Sequence, residues 1–270
     1  MKIGVFDSGY GGLTILGEIR RVLPEYDYIY LGDNARTPYG SRSFEVVYDY
    51  PRQCVEHLLK SGCKLVILAC NTASAKALRT IQQTYLPYNF PDCRVLGVIR
   101  PTVECIGDIT TTRSVGIMAT EGTIRSDSYT IEVAKLFPDI KITGMACPML
   151  VPLIENNEYD TPGARYFIKK YVDALFTKNP DIDTIVLGCT HYPLIYNQIK
   201  EVAPAGVKII RQGNVVAESL VDYLNRHPEI TSCLTKTGSI DYLTTEQPDK
   251  FGTSASLFLN EKINAKHIVL

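Results

Sequence analysis

Eight short runs set the pattern of this chain: KIGVF (2–6), YIYLG (28–32), LVILA (65–69), RVLGVI (94–99), SVGIM (114–118), IKITG (140–144), TIVLG (184–188) and VKIIR (207–211). Most are apolar at consecutive positions rather than alternate ones, as expected of strands covered on both faces. Between them lie stretches of helical spacing, among them LTILGEIRRVL (13–23), TIRSDSYTIEVAKLF (123–137) and ARYFIKKYVDALF (164–176). Strand and helix in alternation specify an α/β fold with mainly parallel sheets. With 270 residues, 45% of them hydrophobic, the chain can build one large domain or two of ordinary size.

An internal repeat favours two. KIGVFDSGYGG and SVGIMATEGTI share a strand, a polar turn, a glycine and a helix start, and their Gly4 and Gly116 lie 112 positions apart. LVILACNTAS and TIVLGCTHYP are offset by 119 positions at their cysteines. Two landmarks in the same order at nearly the same offset predict two similar α/β halves with a cleft between them. We expect the first domain over 1–98, completed by 207–270, and the second over 99–206. SIDYLTT (239–245) and KHIVL (266–270) are expected to return to the first half.

The formal net charge is -1 and no basic run occurs, so neither nucleic acid nor an anionic membrane is an expected partner. Lys2 and Asp7 bracket the first strand, no apolar leader is expected, and no stretch is long enough to span a bilayer. A cytoplasmic location follows as an expectation, with the eight cysteines reduced. They show no C-x-x-C or other metal spacing, so no metal is expected. Cys54 shares an apolar stripe with Val47, Tyr50 and Leu58, and reads as a packed residue.

In open α/β sheets, ligands bind outside the carboxyl ends of the strands. The polar clusters fall there: Asp7–Ser8–Gly9, Asp33 with ARTPYG, Cys70–Asn71–Thr72 and Cys189–Thr190–His191. A strand-end cysteine is more often packed than reactive, but two in matching settings, each with hydrogen-bonding neighbours, need a common reason. Cys70 leads into NTASAKAL, a helix start expected to lower a thiol pKa. Cys189 has His191 two residues on, whereas His57, His227 and His267 lack such company and read as surface or packing residues. Two opposed thiols suit removal of a proton from one face of a carbon and its return to the other, with neighbouring carboxylates such as Asp7 tuning them. DSGYGGLT (7–14) invites a dinucleotide reading, but Thr14 takes the third glycine place and Asp7 would repel a pyrophosphate. A tight turn and a helix start account for its glycines.

Taken in order, GVFDSGYGGLT (4–14), GDNARTPYG (32–40), ACNTASA (69–75), ATEGTI (119–124), ACPMLVPLIE (146–155) and LGCTHYP (187–193) resemble the glutamate racemases. These are cofactor-independent members of the aspartate/glutamate racemase superfamily. The resemblance implies Cys70 and Cys189 as the acid/base pair on opposite faces of a substrate α-carbon. It makes Asp7 the partner of one thiol, and His191 and Glu155 partners on the Cys189 side. Asp7, Ser8, Tyr39, Gly40, Asn71, Thr72, Thr190 and His191 fall where the family grips substrate, with Asp7 able to meet its ammonium and Thr120 and Thr123 as further contacts. It further implies glutamate as the small-molecule substrate, no cofactor, supply of D-glutamate for peptidoglycan, and a homodimer. Arg100 replaces a frequent acidic residue, and IRQGN (210–214) differs from the usual Asp-Ser-Gly turn. Another amino-acid or hydantoin racemase, or a non-catalytic metabolite- or nucleotide-binding protein, stand as alternatives.

Overall fold

The computed structural model describes residues 1–259 and 261–270. Among the described residues the strands, in chain order, are β1 (Lys2–Asp7), β2 (Tyr28–Gly32), β3 (Cys63–Leu68), β4 (Arg94–Gly97), β5 (Ser114–Ala119), β6 (Lys141–Ala146), β7 (Thr184–Gly188), β8 (Lys208–Ile210), β9 (Ile240–Thr244) and β10 (Ala265–His267). They form two sheets, β10-β9-β2-β1-β3-β4 and β6-β5-β7-β8. Every pairing is parallel.

The repeat is present in the topology. The order β2-β1-β3-β4 in one sheet recurs as β6-β5-β7-β8 in the other. It is also in register: Gly4 pairs with Val66, four residues before Cys70, and Gly116 pairs with Ile185, four before Cys189. The two cysteines therefore leave equivalent strands at equivalent heights.

Strand side chains alternate between faces, and both faces are covered. Ile3, Val5, Leu65 and Ile67 pack on Leu16 and Ile19 of helix Leu13–Val22 and on Leu220 of helix Gln212–Arg226. Phe6, Val66 and Leu68 meet Val47, Cys54 and Leu58 of helix Phe44–Lys60. In the second sheet, Ile185 and Leu187 pack on helix Pro162–Lys178, and Val115, Ile117 and Val186 on helices Ile99–Ile109 and Ser128–Leu136. Burial of each such side chain contributes about 1.5–3 kcal/mol, so the strand ends are held rigidly.

Three elements differ from expectation. The strand expected over 94–99 ends at Gly97, and Ile99 opens a helix; a short apolar run does not reveal its own period. The helix expected over 123–137 is two helices, Glu121–Arg125 and Ser128–Leu136, broken at Asp127 with φ 52° in the left-handed region. The segment expected to rejoin the first half at 207 stays with the second sheet through β8, which pairs with β7. The chain returns only with helix Gln212–Arg226, which packs against helix Leu13–Val22. β9 and β10 do extend the first sheet, beyond β2. Among the described residues no helix is long and apolar enough to cross a membrane.

Candidate active site

The carboxyl ends of the two sheets face one cleft of about 260 Å³. β1 delivers Ser8 to it, β3 delivers Cys70, Asn71 and Thr72, β5 delivers Thr120, and β7 delivers Cys189, Thr190 and His191. Tyr39 and Gly40 line it from the loop after β2, and Glu155 from the end of helix Leu150–Glu155. A larger cavity, about 630 Å³, is lined by Arg79, Arg100, Glu132 and Tyr223 among others, but it holds neither cysteine. Chemistry rather than size locates the site.

On the Cys189 side, Sγ lies 3.8 Å from His191 Nδ1, and His191 Nε2 lies 2.9 Å from Glu155 Oε1. Burial alone would lower the imidazole pKa, but bonds to Cys189 and Glu155 outweigh it and raise it to about 10. A protonated ring donates at both nitrogens, so one positive charge is shared between sulfur and carboxylate. Phe258 packs edge-on against this ring at 5.7 Å and limits its rotation.

The Cys70 side is less polar. Ser8 Oγ sits 3.5 Å from Cys70 Sγ, and the Ala73 N–H at the helix start donates to the sulfur at 3.4 Å. The helix start was expected to lower this thiol. Burial wins instead, with the charge of Asp7 adding to it, and Cys70 is pushed up to about 12. Asp7 is fully buried and stands behind the cleft wall, where it accepts from Gly9 N at 3.2 Å. Burial raises its carboxyl above the ordinary range.

The walls are tied across the halves. Thr72 Oγ1 lies 2.8 Å from Thr120 Oγ1 and 3.3 Å from Thr123 Oγ1, so Thr123 supports the wall from behind. Gly122 N donates to Gly40 O at 2.7 Å. Tyr39 donates its hydroxyl to the buried Asp33, which also accepts from Arg36 Nε at 2.7 Å. The proton of that hydroxyl is thus committed to Asp33. Among the described residues no lysine or arginine lines the cleft. Among the described residues no group of three or more His, Cys, Asp or Glu side chains could hold a metal ion.

Sequence reasoning passed over three residues. Cys147, directly after β6, is a third strand-end thiol on the cleft; the strand-end criterion alone would have found it. Thr14 Oγ1 donates to Thr190 O at 2.9 Å, joining the two halves beside His191. Gly11 lies so close to the β7 turn that a Cβ there would stand 2.3 Å from Thr190 Oγ1. Nothing in the chain's local pattern marks a contact between residues this far apart. His227, by contrast, stacks on Tyr223 at 4.0 Å, and His267 is exposed.

The profile of the Asp/Glu/hydantoin racemase family matches residues 14–220. A glutamate racemase of Roseobacter denitrificans is 40% identical, covering 97% of this chain and 98% of that relative. The crystal structure of a glutamate racemase isoform from Bacillus anthracis superposes with TM-score 0.90 at 35% identity, over 100% of this chain and 97% of the other. That of Francisella tularensis, in complex with D-glutamate, superposes with TM-score 0.87 at 30% identity, over 99% and 97%. Two in-register strand-end cysteines on one cleft, in a chain similar to these proteins from end to end, place it in the Asp/Glu/hydantoin racemase family, among the glutamate racemases.

Proposed function

We propose that this protein is an isomerase that interconverts L- and D-glutamate by a two-thiol acid/base mechanism. The observation that carries the reading is that Cys70 and Cys189 line one cleft from equivalent strands of a repeated sheet. The D-glutamate in the Francisella tularensis structure supports the substrate. Residues 1–98 with 212–270, and 99–211, are then the two lobes that open to admit it.

Ser8, Asn71, Thr72 and Thr190 supply neutral donors for two carboxylates, and the substrate's own ammonium brings a positive charge beside Cα. A positive charge beside Cα favours the thiolate of Cys70 in the direction in which it acts as the base. Cys189, paired with the protonated His191, removes the proton from the enantiomer that turns its Cα–H toward it. The Cα–H bond breaks, an S–H bond forms, and the electron pair stays on Cα. Cys70, resting as a thiol, delivers its proton to the opposite face and becomes a thiolate. The reverse direction exchanges the roles, so each direction requires both sulfurs. Asp7 sets the Cys70 proton affinity from behind rather than by contact.

Glu155→Gln removes one of the bonds that raise His191. The imidazole then loses its proton at lower pH, and the alkaline limb of kcat/KM moves down by about one to two pH units. A limb that stays in place would remove the Glu155–His191 pair from the mechanism.

Glutamate conversion, followed by circular dichroism with no added cofactor, tests the reading. Shortening the substrate by one methylene to aspartate is expected to cost about 10–200-fold in kcat/KM. Equal or faster turnover of aspartate or a hydantoin would favour another activity of the family. On the glutamate reading the protein works in the cytoplasm and supplies D-glutamate for peptidoglycan, and a homodimer is expected in light scattering.

A further inference from the structure

The two places where the chain crosses between the sheets touch each other. It leaves the first sheet at Val98 and returns at Gln212, and Gln212 Nε2 lies 3.4 Å from Val98 O. A closed ring of hydrogen bonds is built on this junction. Gln212 Nε2 donates to Tyr129 Oη at 2.9 Å, Tyr129 donates to Asn71 Oδ1 at 2.7 Å, and Asn71 Nδ2 donates to Gln212 Oε1 at 2.6 Å. All three side chains are buried.

The direction of the ring is determined by its neighbours. Thr102 spends its only hydroxyl proton on Val98 O at 2.7 Å, so its oxygen can only accept from Gln212, 2.8 Å away. The Val98 carbonyl likewise only accepts. Gln212 must therefore turn its nitrogen to these groups and its oxygen to Asn71. Burial raises the Tyr129 hydroxyl well above its ordinary range, so it keeps its proton as a donor. Asn71 is left with one uncommitted N–H, and it lines the cleft.

We infer that Gln212 and Tyr129 are positioning residues that hold the Asn71 amide with its nitrogen available to a substrate carboxylate. An amide free to rotate by half a turn would present its oxygen and repel that group. The ring draws Asn71 and Gln212 from one lobe and Tyr129 from the other, so the donor is held from both sides of the junction. Gln212 lies in the IRQGN segment, residues 210–214.

The inference rests on glutamate being the substrate, so its test reads binding as well as turnover. Tyr129→Phe removes one oxygen atom, and Gln212→Met keeps the side-chain length while removing all four of its polar contacts. Each is expected to raise KM for both enantiomers, and the calorimetric Kd of D-glutamate, about tenfold, with kcat changed less than about threefold. In an Asn71→Ala background neither should have a further effect on KM, because the group they act through is gone. Unchanged KM and Kd in folded Tyr129→Phe, or an undiminished effect without the Asn71 amide, would overturn the inference. Wild-type protein that binds D-glutamate without racemising it would remove the proposed activity, and the ring would then be judged on Kd alone. Wild-type protein that does not bind D-glutamate would overturn both.

Discussion

Racemisation in both directions falls by about 10³-fold or more in Cys70→Ser, and equally in Cys189→Ser. Serine keeps the shape of the side chain, but its hydroxyl is far too weak an acid to lose a proton beside a carbon acid at neutral pH. One intact thiol does not suffice, because inversion needs a base on one face of Cα and an acid on the other. The Cys70→Ser/Cys189→Ser double variant should therefore be little worse than either single one. Full activity in either variant would exclude the two-thiol mechanism. A modest loss in one alone would reduce that cysteine to a wall residue.

The second large effect comes from a residue with no side chain. Gly11→Ala would place a Cβ 2.3 Å from Thr190 Oγ1 and 2.5 Å from His191 Nδ1. Neither neighbour can yield without moving the group that partners Cys189. Thr190 is held through its carbonyl by Thr14, and His191 by Glu155 at 2.9 Å and the edge of Phe258. Displacement of a catalytic group by about 1 Å costs on the order of 10²-fold in rate, so kcat should fall by that order. The overpacking itself costs about 1–3 kcal/mol of stability, which leaves a folded protein for measurement. Wild-type kcat in Gly11→Ala would mean that the β7 turn has room to move, and that the His191 position matters little.

Much of the fold and the cleft is legible in the residues because both depend on local pattern. Parallel strands covered on both faces read as continuous apolar runs, and these stop where the sheet stops. A polar cluster at such a point is visible without knowledge of the tertiary structure, as at Cys70 and Cys189. The repeat is readable for the same reason: strands at matching positions in both sheets retain similar ends. Boundaries are less visible where two elements share an apolar run, as at Gly97 and Ile99. Sheet membership of β8 is invisible too, because either sheet would accept VKIIR. The groups that aim the site depend on distant neighbours. Thr14 meets Thr190, and Gln212 meets Asn71, across separations that no periodicity records. Cys70 illustrates a competition of effects: its helix start is evident in the sequence, but the burial that overrides it is not.

On the two-thiol mechanism a proton passes between the two faces of one carbon without added cofactor. Incubation of the metal-free, reduced protein with L-glutamate in D2O tests it most directly, with Cα deuterium followed in each enantiomer. D-glutamate carrying solvent deuterium at Cα is expected; no Cα exchange from protein shown to be folded and reduced would exclude the mechanism.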